Sequence, residues 1–139
     1  MSSVQFFFPY AKIGLQNRKE LKGFIEQLFK KEKRPLDSLR YIFCSDEDLL
    51  KINAQYLRHH YYTDIITFEL GSVKTDGEIY ISIDRVKENA QTFGTSFLKE
   101  LHRVIFHGAL HLCGYKDKLK ADKEIMRKKE DRYLREYFD

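Results

Sequence analysis

Two stretches of alternating residues constrain the fold more than any other feature of this chain. In DIITFEL, Ile66, Phe68 and Leu70 share one face, and in EIYISI, Ile79, Ile81 and Ile83 do the same. A period of two belongs to an extended strand. The polar connection from Gly71 to Gly77 joins the two stretches, so the pair reads as a β-hairpin.

The remaining elements surround it. Val4 to Phe8 reads as a first strand and Arg40 to Cys44 as a second. Asn17 opens a helix, with Glu20 three residues later as in a capping box and Leu21, Phe24, Ile25 and Leu28 at helical spacing, and Pro35 closes that element. Ser45 caps a helix with Leu49, Ile52 and Tyr56 on one stripe and Asp48 near its positive end. A short helix follows from Asp84 to about Thr92. Thr95 or Ser96 caps a longer one carrying Phe97, Leu101, Val104, Ile105 and Leu112, until Gly114 stops it. From about Leu119 to Phe138 the chain reads as a charged amphipathic helix, supported by Glu124 with Lys128 and Asp131 with Arg135 at i,i+4. Strands and helices are mixed, so the expected class is α/β (α+β mixed). We expect a single small domain over residues 1–139, one mixed sheet of about four strands covered by helices, with strand order undetermined.

Composition supports an ordered fold. A chain of 139 residues suits one domain, which buries roughly two-thirds of its unfolded surface. Hydrophobic content of 42% beside 33% charged residues, with no low-complexity run and no internal repeat, argues against disorder. The run VQFFF is short, has no basic residue ahead of it and meets Pro9, so it reads as a strand and not as a signal peptide or membrane span. A cytoplasmic protein is the expectation, with Cys44 and Cys113 as free thiols. The formal charge is +4, with basic residues gathered at Lys30–Arg34, at Lys116–Lys123 and at Arg127–Lys129. These clusters suit a polyanion, and they also read as solvated helix faces because acidic residues are interleaved.

The stretch FHGALHLCGYKDK carries the chemistry. Residues four apart on a helix are rotated by about 40° and separated by about 6 Å, so His107 and His111 present their imidazoles side by side to one point. Gly114 lets the chain leave the helix, and the three-residue step to Asp117 swings a carboxylate toward that point. A histidine pair alone occurs on ordinary helices. The added glycine stop and third donor favour a metal site. The pattern HxxxHxxGxxD matches the metzincin pattern HExxHxxGxxH at every position but two. In a zinc peptidase the glutamate after the first histidine takes the proton from water, and here that position is Gly108. A peptidase reading therefore lacks its base. The anionic Asp117 makes bound water less acidic than a third histidine would, and its neighbours Lys116 and Lys118 restore positive potential or meet a substrate phosphate. Cys113 faces away and reads as core. His102 lies off the ligand face, and the adjacent His59 and His60 point apart, so all three read as solvated or hydrogen-bonded.

These residues resemble the YbeY family of bacterial metal-dependent endoribonucleases, whose helix motif usually reads HGxLHLxGYDH and here reads HGALHLCGYKDK. INAQYLRHHYYTDIITFEL resembles the family's stretch ending in PTDVLSFP, and GEIYIS resembles its GDIVIS. The helix after Asp117 resembles its charged C-terminal helix, so the resemblance covers about residues 40 to 130. It implies a zincin-like α/β domain with one hydrolytic ion per chain, usually zinc, held by three residues that fall here on His107, His111 and Asp117. It also implies work on ribosomal RNA, in maturation of the 16S rRNA 3′ end and in ribosome quality control. Aspartate stands where the family has its third histidine, and two histidines with one carboxylate also suit iron(II) or another divalent metal. The family places an arginine directly after the tyrosine of NxxY, whereas here Leu57 follows Tyr56 and Arg58 comes one residue later.

Phosphodiester cleavage needs an activated nucleophile and positive charge near the oxygens that gain negative charge, and a metal with an open coordination position supplies both. The expectation is a metal-dependent endoribonuclease in which metal-activated water attacks phosphorus and Arg58 or Lys116 stabilises the pentacovalent phosphate, with Lys116 and Lys118 binding substrate. Single-stranded RNA is the natural substrate, because its bases can stack on aromatic rings. Tyr61, Tyr62 and Tyr115 are candidates for stacking, and core or rim packing accounts for them as well. The ribosome or its proteins are the expected partners. Two rivals remain: a zincin-like metallohydrolase of peptides or small substrates, and a non-catalytic ribosome-binding module with a structural metal.

Overall fold

The structure is a computed structural model that describes residues 3–71 and 73–139. Ser72, within the expected hairpin connection, lies outside the described residues. In chain order the elements are β1 (Val4–Phe7), α1 (Arg18–Lys31), β2 (Leu36–Cys44), α2 (Asp46–Leu57), β3 (Ile65–Glu69), β4 (Thr75–Ser82), α3 (Ile83–Phe93), α4 (Phe97–Leu112) and α5 (Lys120–Phe138). The four strands form one mixed sheet in the order β1-β2-β4-β3. β1, β2 and β4 run parallel, and β3 closes the edge antiparallel to β4.

The hairpin is present, and its register shows why both alternating stretches exist. Ile66 lies opposite Tyr80 and Phe68 opposite Glu78, while Ile79 and Ile81 pair with Thr67 and Ile65. Cross-strand partners share a face, so the two expected stripes point to opposite sides of the sheet. One side holds the main core, where Leu39, Tyr41, Phe43, Ile79 and Ile81 pack with α1, α4 and α5. The other side holds a smaller cluster of Cys44, Leu49 and Ile66 beneath α2. Helix α4 lies close against the first side. A Cβ added at Gly108 would stand 2.9 Å from Ile79 Cδ1 and 3.0 Å from Ile65 Cδ1. The Tyr41 hydroxyl, fully buried, donates to the Ile105 carbonyl at 2.8 Å.

Several local readings need correction. Strand β2 begins at Leu36, earlier than expected, because β4 pairs with its first residues, Leu36 opposite Thr75 and Ser38 opposite Asp76. Ile83 belongs to α3, since the Ser82 hydroxyl accepts from the Arg85 N–H at 3.1 Å and starts the helix where the strand ends. Leu70 follows β3 and is exposed. Asn17 makes no side-chain cap; its backbone is left-handed, a conformation asparagine tolerates. Ser45 and Ser96 do cap, each accepting at 3.1 Å from the N–H three residues on. On α5, Asp131 turns away from Arg135 and pairs at 2.7 Å with Arg103 of α4. Among the described residues the i,i+4 ion pair on α5 is Arg132 with Glu136, and the expected pair of Glu124 with Lys128 does not form. Cys44 and Cys113 are free and buried, and burial pushes both thiols up to about 12. Among the described residues no helix is long and apolar enough to cross a membrane.

Candidate metal centre

Helix α4 carries His107 and His111 on one face and ends at Cys113, after which Gly114 turns the chain with φ 103°. That value lies where glycine is favoured, and a Cβ there would also meet Arg34 Nη2 at 2.7 Å. The returning loop is tied down one residue later. The Tyr115 hydroxyl donates to Glu32 Oε1 at 2.6 Å, and Glu32 Oε2 accepts from Tyr133 and, at 3.3 Å, from Lys129. Burial raises the Glu32 pKa, but these donors overcome it and hold the carboxyl below its ordinary value. Two residues beyond Tyr115, Asp117 arrives with Oδ2 3.1 Å from His107 Nε2.

His107 is held from both sides. Its Nδ1 donates to Glu130 Oε2 at 2.7 Å, while Glu130 Oε1 accepts from Arg103 Nη1 at 3.0 Å. Burial pushes the His107 pKa down, but the hydrogen bond and charge of Glu130, with the charges of Asp117 and Asp64, bring it above its ordinary value. With the Nδ1 proton committed to Glu130, a neutral ring presents a bare lone pair at Nε2 to the Asp117 carboxylate. Two acceptors at 3.1 Å need a cation between them, either a proton or a metal ion. Two ligand atoms on one zinc at about 2.0–2.1 Å lie roughly 3.3 Å apart, so this pair fits a divalent ion. A metal-binding histidine typically donates its other N–H to a carboxylate, as His107 does.

His111 is exposed, with its ring centroid 6.5 Å from that of His107. Two imidazoles on a single zinc stand roughly 5 Å apart, so His111 must turn to join the other two. Among the described residues no three His, Cys, Asp or Glu side chains stand together in coordinating geometry. His107, His111, Asp117 and Lys118 nevertheless line one cleft of about 330 Å³, walled on the α2 side by Asn53, Leu57, His59 and Tyr61. Asn53 Nδ2 donates to the Tyr61 carbonyl at 2.9 Å and fixes that wall.

The other sequence candidates are more scattered. Arg58 is exposed at the end of α2 with a left-handed backbone, φ 56°; its neighbours Leu57 and His59 line the cleft and it does not. Lys116 is exposed and outside the lining. Tyr61 lies flat on His59, with centroids 5.1 Å apart, and Tyr62 donates to Glu47 at 2.7 Å. His102 is buried, with Nδ1 2.8 Å from the Leu98 carbonyl, and burial pushes its pKa down. Gly108 faces the sheet, so the glutamate of the peptidase pattern has no room at this position.

Sequence reasoning missed Glu130 and Arg103. Glu130 sits with Met126 and Tyr133 on the buried stripe of α5, and an acid at a stripe position was the available signal. It also missed Asp64, which lines a second cleft of about 450 Å³ on the α5 side of His107 and Asp117. Burial pushes the Asp64 carboxyl up, against the charge of His107.

Residues 10–138 match the family model described as Endoribonuclease YbeY. The Endoribonuclease YbeY of Cytophaga hutchinsonii is 50% identical over 134 residues, covering 95% of this chain and 94% of that protein. That of Parabacteroides distasonis is 47% identical, covering 95% and 94%. The solution structure of a Thermotoga maritima protein superposes with a TM-score of 0.70 at 30% identity, covering 97% of this chain and 89% of the other.

Proposed function

The chain belongs to the YbeY family of endoribonucleases, and on that premise we propose that it cuts single-stranded RNA with one divalent ion held by His107, His111 and Asp117. Zinc is the first choice for that ion and iron(II) the second, because two imidazoles and one carboxylate suit both. When bound, such an ion supplies a Lewis acid and an acidified water. The observation that carries the reading is His107 fixed between Glu130 and Asp117, with Nε2 turned to the cleft.

The chain's own residues divide the remaining work. Glu130 keeps the His107 proton on Nδ1, and Arg103 keeps Glu130 in place. The Tyr115–Glu32 contact holds the loop that brings Asp117 to His107. Lys118, on the lining, meets a substrate phosphate, and the exposed Arg58 and Lys116, chain neighbours of the lining residues Leu57, His59 and Asp117, are assigned to the same phosphate. Ribosomal RNA is the substrate we assign, at the 3′ end of the 16S species, with the ribosome as partner and the cytoplasm as the compartment. The formal charge of +4 supports a polyanionic substrate. The peptidase alternative is weakened by Gly108, whose position against Ile79 and Ile65 admits no base.

The test is cleavage of a defined single-stranded RNA by protein that has been stripped and reloaded with metal, beside elemental analysis of the protein as purified. His107→Ala and Asp117→Ala should abolish metal-dependent cutting while circular dichroism stays that of the folded chain. Equal cutting by stripped and reloaded protein would sink the reading.

A further inference from the structure

We propose that the cleft on the α5 side of His107 is a subsite for one nucleotide of the RNA strand, with Phe93 as the stacking platform for its base and Lys123 with Arg127 as the grip on its phosphate. This rests on the nuclease reading above. His107 and Asp117 line this cleft as well as the one facing α2, so a strand that crosses the candidate centre has a lobe on either side. At about 450 Å³ the α5-side lobe is the larger, within the range of small-ligand sites.

Its chemistry matches a nucleotide group by group. Phe93 ends α3 and is 63% exposed on the lining. An open apolar ring beside a polar cleft is what base stacking uses, and the tyrosines singled out from sequence are already engaged: Tyr61 with His59, Tyr62 with Glu47, Tyr115 with Glu32. Lys123 and Arg127 lie one helical turn apart on α5 and line the same cleft. Among the described residues neither makes an ion pair within 4 Å, although the Arg127 charge acts on the Glu100 carboxyl of the same lining, whereas Arg103 is occupied by Glu130 and Asp131. The acidic groups Asp64, Glu100, Asp117 and Glu130 also line the cleft, with Glu130 already paired to Arg103 and His107, which argues against a plain anion trap and places the phosphate at the Lys123 and Arg127 end. Asn89, whose amide reaches Asp64 at 3.4 Å, and Asp64 itself offer the donor and acceptors that a base edge can meet.

The chain contains no tryptophan, so Phe93→Trp places its one indole at the subsite, excited selectively beside the nine tyrosines. Hexauridylate is added in EDTA, which prevents cutting, and binding is followed in parallel by anisotropy of a labelled strand. The indole emission should be quenched as the hexamer binds, and an abasic strand of equal length should leave it unchanged. Phe93→Ala should weaken hexamer binding about tenfold, the low end of what one stacked base contributes. Arg127→Ala should weaken the abasic and base-bearing strands alike. If the hexamer binds and is later cut with metal, but the indole does not respond and Phe93→Ala binds as wild type does, the subsite is refuted and the nuclease reading stands. If wild-type protein neither binds nor cuts the strand, the nuclease reading falls and the subsite with it.

Discussion

Replacing Glu130 by glutamine should switch the histidine tautomer while leaving the fold in place. Glu130 accepts twice, from Arg103 Nη1 at 3.0 Å and from His107 Nδ1 at 2.7 Å, and its side chain is 7% exposed. A glutamine of the same shape has one acceptor. A guanidinium can only donate, so the amide oxygen stays on Arg103 and the amide N–H turns to His107. The imidazole must then accept at Nδ1 and carry its proton on Nε2, the atom 3.1 Å from Asp117. Neutralising the carboxylate that carries these two bonds costs about 1.5–3 kcal/mol, and Asp131, still on Arg103 at 2.7 Å, limits the damage. Metal affinity should fall by about 10- to 100-fold, the usual effect of losing such an outer partner. Urea unfolding gives the first figure, a competitive zinc titration the second, and nitrogen-detected NMR of the imidazole reads the tautomer. A Glu130→Gln protein that keeps the Nδ1 proton and binds zinc as tightly as wild type would refute the reasoning.

Other perturbations test separate links. In metal-free protein, His107 has a folded pKa above its ordinary 6.5, so its contribution to stability is complete below 6.5 and is lost as pH rises through the elevated value. The unfolding midpoint should therefore decline as pH rises from 6.5 through that value and level off above it, and His107→Gln should flatten the decline. Gly108→Ala sets a Cβ 2.9 Å from Ile79 Cδ1; overpacking of about 1–3 kcal/mol outweighs a helix-propensity gain of about 1, so the urea midpoint should drop. Arg58→Gly removes a left-handed non-glycine residue and should leave stability equal or higher by up to about 1 kcal/mol. If Arg58 serves the reaction, RNA cutting by that variant should nonetheless fall, and unchanged turnover would remove it from the site. RNA affinity should weaken steeply as salt rises from 50 to 200 mM, and a flat response would deny the basic clusters a role in binding.

Much of this was legible in the sequence because it is local. The hairpin follows from alternation in DIITFEL and EIYISI, and the serine caps and the Gly114 stop mark the ends of helices. That His107 and Asp117 meet was legible because helical spacing and one left-handed glycine turn the loop back toward the helix, although the Tyr115–Glu32 contact that holds it there was not. What stayed hidden depends on how distant segments pack. Strand order is set by which strands find each other, and no local pattern encodes that β4 sits between β2 and β3. Glu130 looked like one more charge on a charged helix until α5 was laid along α4. Asp131 likewise had a plausible partner on its own helix and took a better one elsewhere.

Helix α5 contributes to the centre twice, through Glu130 on His107 and through Tyr133 and Lys129 on the carboxylate that moors the Asp117 loop. If His107, His111 and Asp117 hold an ion, its occupancy and the attachment of the last helix are thermodynamically linked, so that whatever favours one favours the other. Loading the centre should slow proteolytic clipping of the C-terminal segment. Conversely, a partner that peeled α5 away would discharge the ion, making the end of the chain a handle on activity.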